Sequence, residues 1–181
     1  MAERYELRFS GAGGQGLITA GIILAEAASI IGNKYAVQSQ SYGPEARGGA
    51  SKSEVIISDG PIDYPKATIV DACLAMTQES ADKYAVGIKA GGVLLLDTDF
   101  VPNPPQGDYK VYQMPIMRTA KEELGREIVA NVVALGAMVA LTGVVPREDG
   151  LKAVLAKVPE AFLELNEKAY NLGFEKVQAL L

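Results

Sequence analysis

A chain of 181 residues, 49 % hydrophobic but only 7 % aromatic, packs small aliphatic groups, as sheets covered by helices do, and its length suits one domain over 1–181. A net charge of −5 and a pI near 4.9 argue against nucleic acid as a partner. With no histidine and one cysteine, Cys73, the sequence excludes a Ser-His-Asp or Cys-His site, an internal disulfide and a four-cysteine cluster.

Taken in order, Tyr5, Leu7 and Phe9 alternate with Glu6 and Arg8, the period of a strand. Gly11-Ala-Gly-Gly-Gln-Gly16 follows, then an apolar run from Leu17 to Ile31 that reads as a helix stopped by Gly32. Tyr35–Gln40 is a second strand. Ser41–Ser51, with three glycines and Pro44, is a loop. Lys52–Ser58 returns to a strand, turned by Asp59-Gly60-Pro61. Ala67–Ala75 reads as a parallel strand and Gln78–Val86 as a short amphipathic helix. Gly91-Gly92 opens Val93–Leu96, apolar on both faces like a central parallel strand. Val101–Asp108 is a proline-rich surface connection, and Lys110–Pro115 an edge strand.

The remainder is helical: Thr119–Gly143 as one helix, then Arg147–Lys157 and Pro159–Leu181. In the last, Phe162, Leu165, Ala169 and Leu172 form the expected apolar stripe, opposite Glu164, Glu167 and Lys168. Alternating strands and helices predict an α/β fold: an open, mainly parallel, Rossmann-like sheet with helices on both faces and a helical C-terminal third. No leader precedes the first strand, and the apolar runs Leu17–Ile31 and Ile128–Leu141 fall short of a membrane span, so a cytoplasmic protein without a membrane partner is expected.

The glycine loop carries the chemistry. Gly11, Gly13 and Gly16 have the spacing of a dinucleotide fingerprint, and Gly13, Gly14, Gln15 and Gly16 lead into a helix whose free N–H groups suit a phosphate or a partner's carboxylate. The acid that would hold a ribose is missing, because the second strand ends in Gln38-Ser39-Gln40. NAD and NADP are therefore expected to bind poorly. The glycines alternatively serve only to let the helix pack close to its strand. In the loop after the second strand, Arg47 can fork onto a phosphate or carboxylate, or form an ordinary salt bridge, with Glu45 as its neighbour. Tyr42 offers a stacking surface or simply packs.

Leu17–Ile31 and Ile128–Leu141 are apolar on nearly every face, the second interrupted only by Asn131 and Gly136. Either the C-terminal helices cover them, or they meet another chain; on the second reading the isolated protein pairs with a second copy as a homodimer.

Gly11–Gly16, Leu24-Ala-Glu-Ala-Ala28, Ser41-Tyr-Gly-Pro-Glu-Ala-Arg-Gly-Gly49 and Ser53-Glu-Val-Ile-Ile-Ser-Asp59, with Asn131-Val-Val-Ala-Leu-Gly-Ala137 and Leu141-Thr-Gly143, resemble the γ subunit of 2-oxoacid:ferredoxin oxidoreductases. The likeness spans essentially the whole chain, and the Ser41–Gly49 loop resembles the 2-oxoglutarate branch more than the pyruvate branch. The resemblance implies oxidative decarboxylation of a 2-oxoacid to an acyl-CoA, with electrons passed through iron–sulfur clusters to ferredoxin. It further implies α and β subunits holding thiamine diphosphate and a ferredoxin-like subunit holding clusters. This chain would hold neither alone, have no catalytic residue and no metal of its own, complete the assembly and help receive coenzyme A. A nucleotide-binding oxidoreductase and a ligand-free interaction subunit remain the alternatives.

Overall fold

Leu7 and Phe9 lie fully buried at the centre of a six-stranded sheet with strand order β2-β3-β1-β4-β5-β6. The computed structural model describes residues 3–44 and 48–181. The strands are β1 (Arg4–Ala12), β2 (Tyr35–Ser41), β3 (Ala50–Ser58), β4 (Val70–Ala75), β5 (Ile88–Asp97) and β6 (Lys110–Met114). β1, β4, β5 and β6 are parallel neighbours, whereas β3 runs antiparallel to both β1 and β2. The parallel character expected from the sequence thus holds for one side of the sheet. The strand after the first helix, α1 (Leu17–Glu26, prolonged by a π turn over Ala27–Ile31), is not the neighbour of β1, because β3 is inserted between them.

Helices lie on both faces, unequally. One face carries α1, α4 (Ala130–Thr142), α5 (Arg147–Lys157) and α6 (Leu163–Gln178), packed over Leu7, Phe9, Val55, Leu74 and Leu95. The other carries α2 (Gln78–Tyr84), whose Ala81 meets Cys73, Ala75, Leu94 and Leu96. A Thr77–Ser80 capping box starts α2. Burial pushes the Cys73 thiol up to about 12, so it is protonated and unreactive in the folded chain.

Glu6, Arg8 and Ser10 of β1 are buried rather than wet. Arg8 Nε donates to Glu54 Oε1 at 2.8 Å, and its Nη1 donates to the carbonyls of Tyr84 and Val86 at 2.8 Å. Lys52 Nζ reaches the same carboxylate at 2.8 Å. The Glu6 carboxylate accepts from the amides of Thr68 and Ile69 at 2.6 and 2.9 Å, closing the segment before β4.

The sequence reading needs correction in the helical third. Thr119–Gly143 is not one helix: a short α3 (Ile116–Arg118) and a π turn (Thr119–Glu123) end where Gly125 takes φ +70°, and a 3₁₀ turn (Glu127–Val129) restarts the chain into α4. The stripe of α6 is also shifted. Asn166, Ala169, Tyr170, Gly173 and Val177 are buried, while Phe162 is 49 % exposed. The cause is close packing of α4 on α6: a Cβ on Gly136 would strike the Tyr170 carbonyl, and one on Gly173 the Val133 carbonyl. Small residues therefore face α4, and the larger ones turn aside.

This packing also answers the question of the apolar helices. Val132–Val139 of α4 is buried against α6 and α5, and α1 packs on α5, where Lys157 pairs with Glu26 at 2.8 Å. The chain's own C-terminal helices cover much of these faces, while Ile30 and Ile128 stay exposed at 76 % and 84 %. Among the described residues no helix is long and apolar enough to cross a membrane.

Candidate functional site

Antiparallel pairing of β1 with β3 sets Gly11 opposite Ser51 and Ala12 opposite Ala50, so the glycine loop and the loop before β3 leave the sheet side by side. Gly13 N–H donates to the Gly49 carbonyl at 3.1 Å. The Tyr84 hydroxyl donates to the Ala50 carbonyl at 3.2 Å, tying this end of β3 to α2. The two stretches that the sequence singles out, some thirty residues apart in the chain, are one structural feature. Arg47 and Glu45 belong to the second loop and lie outside the described residues; Tyr42 at its entry is 65 % exposed.

The glycines have different tasks. Gly11 is a packing glycine, since a Cβ there would lie 2.6 Å from Leu17 Cδ1. Gly14 and Gly16 take φ of +89° and +76°, a region that side chains disfavour. Gln15 is turned back into the loop, its Oε1 accepting from Ala12 N–H at 2.8 Å. Gly16 caps α1 without any side-chain cap, and the first turn of α1 has no acidic residue. The opening N–H groups of a helix have no partner within it, so such a terminus favours an anion.

The glycine loop forms one wall of a cleft of about 650 Å³; Met117, Glu127, Ile128 and Asn131 line it with Thr19. Glu127, its acidic side chain, is engaged by Lys121 at 3.0 Å, and this pairing raises the Lys121 pKa. Met117 is set in place by Asp97, whose Oδ2 accepts Met117 N–H at 2.8 Å and whose Oδ1 accepts Asp99 N–H at 2.9 Å. Burial pushes the Asp97 carboxyl above its usual range, and those amide donors work in the opposite direction. A second cleft of about 390 Å³ adjoins the first through Thr19, Ile128 and Asn131, and is apolar along Ile23, Val132 and Leu165.

Sequence reasoning misses the residues of this second wall. Asn131 stands out there as a polar interruption of an apolar helix and as the start of a stretch carrying the family resemblance, not as a site residue; the structure shows its Nδ2 donating to the Gly16 carbonyl at 3.2 Å. Ile128 is 84 % exposed, not a core residue of a continuous helix.

The site does not fit a dinucleotide. β3 separates β2 from β1, and Gln38, midway along β2, spends its amide on Ser53 Oγ at 2.9 Å. Nor do the residues present fit an iron–sulfur cluster: Cys73 is buried, and among the described residues no group of acidic, cysteine or histidine side chains suits a metal ion.

Known proteins agree with this architecture. Residues 6–176 match the family model described as pyruvate ferredoxin/flavodoxin oxidoreductase. The chain is 50 % identical over 179 residues to the 2-oxoglutarate synthase subunit KorC of Methanocaldococcus jannaschii, covering 98 % of this chain and 96 % of that one. The crystal structure of a keto/oxoacid ferredoxin oxidoreductase gamma subunit from Geobacter sulfurreducens superposes with a TM-score of 0.92 at 66 % identity, covering 98 % of both chains. A 2-oxoglutarate:ferredoxin oxidoreductase from Magnetococcus marinus, solved with 2-oxoglutarate, coenzyme A and succinyl-CoA bound, matches with a TM-score of 0.85 at 25 % identity. There the likeness covers 99 % of this chain but 32 % of the other, so the same fold is one part of a longer polypeptide. A sheet with β3 inserted beside β1, a glycine loop without its ribose acid and a chain-long likeness to such subunits lead to one conclusion: this chain belongs to the pyruvate ferredoxin/flavodoxin oxidoreductase family, as a γ subunit of the 2-oxoacid:ferredoxin oxidoreductase kind.

Proposed function

We propose that the chain, as one γ-type domain over 1–181, serves a cytoplasmic 2-oxoglutarate:ferredoxin oxidoreductase in which the glycine loop and the Arg47 loop together take the anionic part of coenzyme A. The complex would convert 2-oxoglutarate and coenzyme A to succinyl-CoA and carbon dioxide, two electrons passing to ferredoxin. Thiamine diphosphate and iron–sulfur clusters supply the carbon–carbon cleavage and electron relay from the α, β and ferredoxin-like subunits. The 50 % identity to a 2-oxoglutarate synthase subunit favours 2-oxoglutarate over pyruvate.

The observation that carries the reading is the adjacency of the two loops, held by the Gly13–Gly49 hydrogen bond of 3.1 Å and the β1–β3 register. It brings the α1 N-terminus and the backbone of Gly13, Gly14, Gln15 and Gly16 beside Gly49, which follows Arg47 by two residues in the chain. A helix terminus and a guanidinium attract phosphate by the same electrostatics and differ in geometry, the guanidinium forking onto two oxygens. Gly11 contributes the close packing that brings α1 to this position.

Arg47→Ala in the assembled complex is expected to raise the KM for coenzyme A roughly tenfold or more, the loss of a charge-assisted contact worth about 1.5–3 kcal/mol, with kcat little changed. Arg47→Lys should recover only part, because an ammonium cannot fork. Steady-state kinetics at saturating 2-oxoglutarate check this. An unchanged KM in both variants rejects the Arg47 role, and with unchanged assembly it leaves the loop a structural connection.

A further inference from the structure

We infer that Asn131 is a positioning residue: from the start of α4 it clamps the glycine loop in the form that presents the α1 N-terminus to the cleft. The inference rests on the reading of that loop as an anion site for coenzyme A.

Three observations converge on this side chain. First, Nδ2 donates to the Gly16 carbonyl at 3.2 Å, across more than one hundred residues of sequence. That carbonyl also accepts Ala20 N–H at 3.1 Å, the opening hydrogen bond of α1, so Asn131 grips the residue from which the helix starts. Second, the Asn131 side chain fills the space beside Gly16: a Cβ on Gly16 would lie 2.7 Å from Nδ2 and 3.0 Å from Cγ. Gly16 is thus fixed by its φ of +76° and walled in by Asn131. Third, Asn131 lines both adjoining clefts, at the junction where polar loop gives way to apolar groove.

An amide suits this place better than the alternatives. A side chain that is to hold the Gly16 carbonyl must donate, which a carboxylate cannot, and an aspartate would set a negative charge beside an anion site. An aliphatic residue would leave Gly16 held only by the helix it starts. The apolar remainder of α4, buried from Val132 to Val139, anchors the clamp rigidly to the helical layer.

The test uses the assembled complex carrying Asn131→Ala or Asn131→Asp. Amide hydrogen exchange in peptides covering 13–20 is expected to accelerate in both variants, relative to peptides from the buried part of α4. The KM for coenzyme A should rise several-fold while kcat stays within about twofold, with Asn131→Asp the worse of the two because it adds charge. Exchange unchanged in 13–20 overturns the clamp. So does acceleration spread evenly through α4 with a lowered Tm, which would make Asn131 an ordinary packing residue. Local acceleration with an unchanged KM supports the clamp and counts instead against coenzyme A as the ligand of this loop, which the Arg47 variants test independently.

Discussion

Glu54→Ala is expected to destabilise the folded chain by about 3 kcal/mol, the lower end of the range for breaking a buried ion pair. Arg8 and Glu54 side chains are 10 % and 8 % exposed, so removing the carboxylate strands a buried guanidinium. The two carbonyls that Arg8 also engages, Tyr84 and Val86, soften the loss, and Lys52, one-quarter exposed, can turn to water. For a domain of this size, with roughly 2–4 °C of Tm per kcal/mol, the shift is about 6–12 °C. The paired replacement Arg8→Met with Glu54→Leu should recover most of it, because no charge is then left buried. Thermal unfolding of the two variants decides the matter. A double variant as unstable as the single would mean that the pair, and not merely its balance, holds α2 to the sheet.

Gly173→Ala should cost more still, about 3 kcal/mol or above, at the upper end of what overpacking does. The new methyl would meet the Val133 carbonyl, and the Gly136 contact with Tyr170 on the same interface prevents α6 from sliding along α4 to relieve it. The helices must instead separate, loosening Ala169 and Val177. Gly136→Ala should act alike and combine less than additively, since one separation relieves both clashes. Chemical denaturation of the three variants checks this. A Gly173→Ala protein within about 0.5 kcal/mol of wild type, the scale of an exposed surface change, would show that α4 and α6 do not approach this closely.

Much of this architecture is legible in the sequence, for identifiable reasons. β1 shows its period because Leu7 and Phe9 enter the core, and α5 matches its expected bounds because its start and end are polar. The direction of β3 is not legible: Val55, Ile56 and Ile57 are buried on both faces, as a parallel strand would also be. The break at Gly125 is hidden because its neighbours are good helix formers and only the backbone reveals φ +70°. The stripe of α6 is misplaced by apolar periodicity, which favours large residues, whereas this interface is built from Ala169 and Gly173. At the site, the sequence marks the glycine loop and Arg47, both local patterns. It cannot mark the pairing of Asn131 with Gly16, which depends on how α4 docks. Nor does it reveal that Glu6 and Arg8, polar residues alternating with the core positions of β1, are buried beneath the α2 side of the sheet.

The most direct test of the γ-subunit account is 2-oxoglutarate- and coenzyme-A-dependent ferredoxin reduction by co-expressed α, β and ferredoxin-like subunits, measured with and without this chain. The chain alone should reduce no ferredoxin, since its one cysteine, Cys73, is buried in β4 and cannot by itself hold a cluster. Adding it to the partners should raise the rate at sub-saturating coenzyme A by at least about tenfold, equivalent to about 1.4 kcal/mol of transition-state stabilisation. An equal rate in its absence, or turnover by the isolated chain, would contradict the account.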